Sequence, residues 1–493
     1  MTTLTKPRFP FFSLVEPRIR ILHYGWLAFF VSFVMWFNHA PLMAAIRDTF
    51  NLTKPQVAAL LTLNVALAIP GRLIVGIIVD KIGPRLMYSG LLLATGIIAF
   101  FFAFAQSYTA LAVARFLLGL SGAGFVVGIR LIGEWFPARE TGLAQGIYGG
   151  LGNFGSAAAA FALPWVASLY GGADGWRWAV AATGVIAIAY AAIFYAGVRD
   201  MPKGSTYFTP KKLGAMEVTS KSDFFLYCVM QAPLTMTLAL LAYRLGPSGM
   251  KIMPDTATLL CYIGLGALFA FQIYDTWRIN KSIFSKAVAP IHQYKFRQVA
   301  VLDYVYFITF GSELAVVSIL PLLFKDTFGL SLGVAGFLGA SFGLSTFFAR
   351  PAGGYLSDIF GRKRVLVACL IGTTLGYFGM SNMGQSTGVA FAVLVTFFCS
   401  LFVNAGNGAV YAMLPMIKRR LTGQIAGMVG AFGNVGGVIF LTVYGAFDAQ
   451  TMLAVAAGCS ALGLALVFLF VEDPKGQIAE EMPDGTIAMI DVT

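Results

Sequence analysis

Long apolar stretches separated by short polar segments make up most of the chain. A helix that crosses the hydrocarbon core of a bilayer needs about 20 consecutive apolar residues. The pattern therefore predicts fourteen transmembrane helices, in groups of six, two and six. The predicted windows are about 24–46, 56–79, 86–105, 109–133, 141–168 and 176–198, then 224–243 and 256–274, then 300–324, 331–357, 364–383, 388–415, 424–447 and 450–471.

The composition excludes an ordinary soluble enzyme. Hydrophobic residues make up 58% of the 493 residues and charged residues 11%, whereas soluble domains have about 25% charged residues. The net charge of +12 would suggest nucleic acid as a partner of a soluble protein, but in a membrane protein its distribution matters more. No phosphate-binding loop, HExxH motif, nucleophile–base set or metal-like cysteine spacing is present, so we expect no enzyme activity, no cofactor and no metal.

The distribution of Lys and Arg predicts the orientation. With the N-terminus inside, the inner segments hold 24 of the 34 basic residues and the outer segments hold 6. Because inner loops carry the excess of Lys and Arg, both termini are predicted to be cytoplasmic. We expect a multi-pass protein of the cytoplasmic membrane, in contact with lipid, without a nucleic-acid partner and monomeric.

Two sets of residues repeat along the chain. The first set recurs at an offset of 278 and the second at an offset of 281, which predicts two related halves with the same orientation, 24–198 and 300–471. Residues 1–23 and 199–299 are then a cytoplasmic segment and a central region with the inserted helix pair, and 472–493 form a solvated, flexible acidic tail. The matched sets are Arg72, Gly76, Asp80, Gly83 and Arg85 with Arg350, Gly354, Asp358, Gly361 and Lys363, and Gly142, Gly146, Gly149, Gly152, Asn153 and Gly155 with Gly423, Gly427, Gly430, Gly433, Asn434 and Gly436.

These motifs resemble those of a known family. The segments 76–85 and 354–364 are similar to the two copies of the loop motif of the major facilitator superfamily. The segments 149–155 and 430–436 resemble the paired signatures of its nitrate/nitrite porter family, and an intramembrane arginine in each of helices two and eight completes the pattern. Residues 223–297 resemble the inserted helix pair of cyanobacterial-type nitrate permeases. The resemblance implies an all-α membrane fold of two six-helix halves plus two central helices.

The resemblance and the residue chemistry together predict a substrate site. Two guanidinium groups suit a small oxyanion, and two amides can donate to it without adding charge. The alternatives are a structural ion pair or snorkelling for the arginines, and close packing for the glycines and aromatic rings. The expected substrate-binding residues are Arg72, Arg350, Asn153, Asn434, Tyr306, Phe125, Phe310, Gly152 and Gly433.

A second group of residues is assigned to coupling and gating. Glu313 lies one helical turn after Phe310 and is the best candidate for a proton carrier; the alternative is a salt bridge to Arg130 or another buried base. Arg130 itself is spaced to pair with Glu134, and a satisfied buried imidazole is the alternative for His39. The coupling candidates are Glu313, Arg130, Arg115 and His39, and the gating candidates implied by the resemblance are Asp80, Arg85, Asp358 and Arg362.

The function expected from these features is uptake of nitrate, and of nitrite as a second substrate, by alternating access. An inside-negative membrane opposes anion entry by about 2.3 kcal/mol per charge per 100 mV. One co-transported proton makes the uptake electroneutral, and two allow the membrane potential to drive it. Because Glu313 is the best candidate for a proton carrier, it favours proton symport. The alternatives are nitrate/nitrite antiport, and antiport of a small organic anion or drug.

Overall fold

A computed structural model gives the structure of the protein. It describes residues 11–136, 138–202, 215–249, 251, 253–285, 288, 293–418, 421–473, 477–481 and 487–491. Within this part of the chain, thirteen helices are long and apolar enough to cross a membrane. The predicted helical membrane fold is therefore confirmed.

The first half contains ten helices and one short 3-10 segment, Gly119–Ala123, between the sixth and the seventh. Four of the predicted windows are each divided between two helices of this half. The helices are α1 (Pro17–Phe37), α2 (Met43–Phe50), α3 (Lys54–Ala66), α4 (Ala68–Ile82), α5 (Pro84–Ala103), α6 (Tyr108–Leu118), α7 (Gly124–Trp135), α8 (Ala138–Asn153), α9 (Gly155–Tyr170) and α10 (Gly175–Gly197).

The inserted pair and the second half complete the helical part of the chain. Short 3-10 segments follow the inserted pair at Lys281–Phe284 and precede α17 at Gln385–Thr387. The helices are α11 (Lys221–Leu245), α12 (Asp255–Asn280), α13 (Phe296–Phe328), α14 (Leu332–Leu344), α15 (Thr346–Phe360), α16 (Arg362–Ser381), α17 (Val389–Ile417), α18 (Thr422–Ala446) and α19 (Ala449–Phe470).

The count of fourteen transmembrane helices is not confirmed. The fifth window, 141–168, coincides with α8 and α9, which have 16 residues each and meet at Phe154. Neither is long enough alone to count as a span. Two other interruptions, at Leu67 and Ser345, are separated by the same 278 residues as the first repeat.

The two halves show the same pairing of helices. In the first half α5 packs against α10, and in the second half α16 packs against α19. Likewise α1 packs against α8 and α9, as α13 packs against α18. The inserted helices lie at the periphery: only 6% of the apolar window of α12 is buried, and 22% of that of α11. α11 contacts α3 of the first half and α13 and α18 of the second.

One end of the bundle, called the near face, is where α1 begins and α19 ends. There a carboxylate after the last helix of each half caps an earlier helix of the same half. Asp200 accepts from the backbone N–H of Arg85 at 2.6 Å, and Asp473 accepts from that of Lys363 at 2.8 Å. An anion at a helix N-terminus is favourable because it meets unpaired N–H groups and the positive end of the helix dipole.

The opposite end, called the far face, joins the two halves through ion pairs. Arg47 of the first half bonds to Asp326 of the second at 2.9 Å, and Lys325 lies 3.6 Å from Asp48. The Nζ of Lys54 also donates to the backbone carbonyl of Phe447. In this structure the halves are therefore in contact at the far face.

The segment after α19 contains a pair of strands and an ion-paired glutamate, whereas the sequence predicts a solvated, flexible acidic tail. β1 (Gln477–Glu481) and β2 (Ile487–Asp491) pair as an antiparallel hairpin, and the sequence between them contains Pro-Asp-Gly, a turn-favouring combination. Glu472 accepts from Lys295 at 2.7 Å and from Arg297 at 2.8 Å. These bonds hold the pKa of Glu472 below its ordinary value.

The tight α13–α18 contact gives a stability prediction. Gly436→Ala should destabilise the protein by about 1–3 kcal/mol, because a methyl at position 436 would overlap the carbonyl oxygen of Phe307 on α13. Gly427→Ala is the matched control on α18, since no atom lies within 4 Å of an added Cβ there. Thermal unfolding of both variants in detergent tests this, and equal melting temperatures would contradict it.

Candidate functional site

Arg72 is buried at the interface between the two halves, here called the seam. Its side chain is 6% exposed and lies on α4 of the first half. The Nε donates to the carbonyl of Gly122 at 3.2 Å, and Nη1 donates across the seam to the carbonyl of Gly430 at 3.0 Å. Among the described residues no acid bonds to it, so neither an ion pair nor snorkelling accounts for its position.

Arg350 is the centre of a buried polar cluster. It lies on α15 and is 8% exposed. Its Nη2 is 3.0 Å from Glu313 Oε2, and the same carboxylate oxygen accepts from Asn407 Nδ2 at 2.7 Å. With the amide oxygen of Asn153 turned towards it, Arg350 also donates to Asn153. The buried base that pairs with Glu313 is therefore Arg350 and not Arg130.

Each arginine reaches the signature segment of the other half. Arg72 bonds to Gly430 on α18, and Arg350 lies beside Gly149 and Asn153 on α8. Gly149 and Gly430 are equivalent at the offset of 281. A Cβ at position 430 would lie 3.3 Å from Arg72 Nη1, and one at position 149 would lie 4.0 Å from Arg350 Nη1. An added methyl would therefore be tight against Arg72 at position 430 but in ordinary van der Waals contact with Arg350 at position 149.

Aromatic rings surround both guanidinium groups. The ring of Phe310 is 5.5 Å from Arg72 Cζ and 5.6 Å from Arg350 Cζ, so the two cations share one ring. Phe125 covers Arg72 from the first half at 5.5 Å. Tyr306 stacks on Phe310 at 5.0 Å, and Tyr411 meets Tyr306 edge-on at 5.2 Å. The structure thus brings together the predicted arginines and aromatic residues.

The predicted amide and glycine residues occupy different positions around this site. Asn434 donates to the carbonyl of Gly430 at 3.0 Å, while its buried Oδ1 has no hydrogen-bond partner among the described residues. A Cβ at Gly433 would lie 2.7 Å from the Phe310 ring, and one at Gly152 would overlap Phe29. These two glycines therefore let aromatic rings pack closely, which is the packing alternative.

Three of the coupling candidates contact groups other than Arg350. Arg130 pairs with Glu134 at 2.9 Å. Arg115 donates to Asn38 Oδ1 at 2.8 Å and to the carbonyl of Trp36 at 3.0 Å, near the C-terminal end of α1, where a cation is favoured by the helix dipole. His39 is buried next to Arg115, and neither ring nitrogen has a hydrogen-bond partner within the described ranges.

The gating candidates lie at the near face. Arg85 is held within its own half, where Nε donates to the carbonyl of Tyr195 at 2.7 Å and the guanidinium lies over the Tyr195 ring. Arg362 lines a near-face cavity of about 720 Å³ together with Glu472 and Asp473. The side chains of Asp80 and Asp358 lie outside the described residues.

Two members of the site were missed by sequence reasoning. Asn407 bonds to Glu313, and Tyr411 packs against both Tyr306 and Phe125. Both lie on α17, four residues apart and therefore on one helix face. That spacing, in a helix without charged residues, was the available signal. It does not reveal which helix α17 faces.

The fold and this site can be compared with known proteins. The family model of the major facilitator superfamily matches residues 25–284 and 302–488. The chain belongs to the major facilitator superfamily. Within it, the nitrate/nitrite transporter NrtP of Picosynechococcus sp. is 41% identical over 94% of each chain, and that of Nostoc punctiforme is equally similar over the same share. These relatives confirm the predicted nitrate/nitrite porter family.

A solved structure shares the fold. A bacterial homolog of the human lysosomal transporter Spinster, inward-facing and occupied, has a TM-score of 0.59 at 16% identity and covers 92% of this chain and 97% of its own. Such a likeness concerns the fold alone. Members of this superfamily are transporters, so the prediction that the chain is not an enzyme is confirmed.

The buried ion pair gives a second stability prediction. Glu313→Ala should destabilise the protein by about 3–5 kcal/mol, because it leaves the buried Arg350 without its counter-charge. Glu134→Ala removes the carboxylate of the less buried pair with Arg130 and should cost about 1 kcal/mol or less. Thermal unfolding in detergent compares them, and similar losses would mean that Glu313 does not stabilise Arg350.

Proposed function

We propose that the protein takes up nitrate, and nitrite as a second substrate, across the cytoplasmic membrane by alternating access. The observation that carries the proposal is the pair of buried arginines that share the Phe310 ring at the seam of the two halves. Two guanidinium groups, which are planar, permanently charged and able to donate two parallel hydrogen bonds each, suit a small planar oxyanion. The relatives named as nitrate/nitrite transporters support the choice of anion.

The aromatic rings support selection for a weakly hydrated anion. Four aromatic rings surround the guanidinium groups: Phe125, Tyr306, Phe310 and Tyr411. They leave few polar groups to replace the water molecules bound to a strongly hydrated anion. Phosphate loses more hydration free energy than nitrate on entering such a site. Asn434 Oδ1 is a hydrogen-bond acceptor and does not bind an anion. The Asn434 amide must turn to donate to the anion; otherwise it contacts only the residues around it.

Glu313 supports coupling to a proton. Its carboxylate accepts from one guanidinium nitrogen of Arg350, Nη2, at 3.0 Å, and the proposed anion needs the same guanidinium group. Protonation of Glu313 removes that competition and leaves Arg350 available for nitrate. By linkage, proton binding and nitrate binding then favour each other, and a symporter requires this relation.

Orientation and location form part of the proposal. We place the near face in the cytoplasm, because the segments assigned to it contain most of the basic residues. The contact between halves at the far face, through Arg47 and Asp326, then corresponds to a site closed towards the outside. The protein is proposed to act as a monomer.

Nitrate/nitrite exchange is the second candidate, because the relatives are named for both anions. Exchange needs no proton, since one anion leaves as another enters. Uptake of labelled nitrate into proteoliposomes decides between the two. A response to an imposed pH gradient supports symport, whereas uptake that needs trapped nitrite and ignores the gradient supports exchange.

The arginine pair gives the first functional prediction. Arg72→Lys and Arg350→Lys should each weaken nitrate binding by at least about tenfold, because an ammonium keeps the charge but loses the planar two-donor geometry. Arg278→Lys on the inserted α12 is the control and should bind as the wild type does. Nitrate binding to purified protein measures this, and wild-type affinity in both site variants would show that charge alone suffices.

Glu313 gives the second functional prediction. Glu313→Gln should abolish uptake driven by a pH gradient while exchange between equal nitrate pools remains measurable, because the amide keeps the shape but carries no exchangeable carboxyl proton. Gradient-driven uptake and exchange are measured in the same proteoliposomes. Loss of both activities together would identify Glu313 as a purely structural partner of Arg350.

A further inference from the structure

Asp303 is a buried acid that has no role in the site described so far. It lies on α13, is 0% exposed, and neither carboxylate oxygen has a hydrogen-bond partner within the described part of the chain. A carboxylate buried without a partner is costly, and intramembrane acids of this kind mark ion or proton pathways. Stability therefore gives no reason for an acid at this position.

Asp303 lies on the same helix face as the substrate site. Asp303, Tyr306, Phe310 and Glu313 follow one another at intervals of three, four and three residues, which form one stripe on a helix. Ten residues separate the two acids, or about 15 Å along the axis. Asp303 is the acid closer to the near face, where α13 begins at Phe296.

Two tyrosines lie near the two acids. Tyr306 shares the α13 face with both acids and packs edge-on against Tyr411, with ring centroids 5.2 Å apart. Glu313 is among the electrostatic neighbours of Tyr306, and Asp303 is among those of Tyr411, whose hydroxyl has no hydrogen-bond partner among the described residues. Asp303 is also an electrostatic neighbour of Tyr227 on α11. Tyr227 and Tyr411 are the titratable groups that face Asp303 from neighbouring elements among the described residues, and no charged base does.

The near-face cavity reaches residues close to Asp303 in the chain. The near-face cavity of about 720 Å³ is lined by Gln298 on α13 and by Met413 on α17. Gln298 is five residues before Asp303, about 7.5 Å along the helix. Met413 is two residues after Tyr411. The cavity is thus lined by residues of the helix that carries Asp303 and of the helix that carries Tyr411.

We propose that Asp303 is a second proton-binding residue of the transport cycle, placed between Glu313 and the near-face cavity. The inference rests on the proposed proton symport. Asp303 gives up its proton to water in the cavity and becomes a carboxylate. It then accepts the proton of Glu313 through the hydroxyls of Tyr306 and Tyr411, and the Glu313 carboxylate returns to Arg350. One O–H bond forms for each that breaks, and no electron is transferred.

The test uses the full-length protein in proteoliposomes with the membrane potential clamped. Asp303→Asn should lower nitrate uptake driven by a pH gradient by at least about tenfold, because the amide cannot pass on a proton. Nitrate exchange without a gradient should stay within about twofold of the wild type. Tyr227→Phe, which removes a hydroxyl near Asp303 that is not part of the proposed route, is the control and should leave both activities unchanged.

The outcomes separate this inference from the proposed function. If wild-type uptake responds to the pH gradient and Asp303→Asn responds equally, Asp303 is not on the proton route, while symport stands. If binding, exchange and driven uptake all fall together in Asp303→Asn, its role is structural and the inference is wrong. If wild-type protein exchanges nitrate but ignores the gradient, symport itself fails, and the inference fails with it.

Discussion

The burial of two guanidinium groups at the seam between the halves is the constraint on which the site depends. Arg72 and Arg350 cannot lose their charge, and each is less than a tenth exposed. Each residue next to these guanidinium groups therefore has to provide a hydrogen-bond acceptor, the face of an aromatic ring, or enough space for the group. Gly122 and Gly430 supply carbonyl oxygens, and Phe310 supplies a ring face to both. Because the contacts of Arg72 with Gly430 and Phe310 cross the seam, burying this charge also holds the halves together.

The two arginines are equivalent in the repeat but differ in their neutralisation. Arg350 has the carboxylate of Glu313, whereas Arg72 bonds only to neutral groups among the described residues. At the two offsets of the repeat, the positions on α1 that correspond to Glu313 are Ser32 and Met35, both buried and neither an acid. The repeat thus places two equivalent arginines at the seam, and among the described residues only Arg350 has a carboxylate beside it. The proposed coupling to a proton depends on this asymmetry.

The helix α13 combines most of the chemistry on one face. Asp303, Tyr306, Phe310 and Glu313 share it, and the glycines of α18 let the two helices approach closely. The inserted α11 covers the same helix near Asp303. The insertion is peripheral to the two arginines, yet it forms part of the surroundings of Asp303. A sequence comparison of the two halves alone leaves that contact out, because the insertion lies outside both registers.

The sequence by itself determined the helices, the repeat and the central residues of the site. Apolar length is a local property, and the offsets of 278 and 281 identify equivalent positions without coordinates. Only the tertiary structure decided that Glu313 pairs with Arg350, that Asn407 and Tyr411 join the site, and that Asp303 is unpartnered. Each of these facts depends on which face one helix presents to another. Helix periodicity shows which residues share a face, but the packing partner of that face follows from the whole bundle.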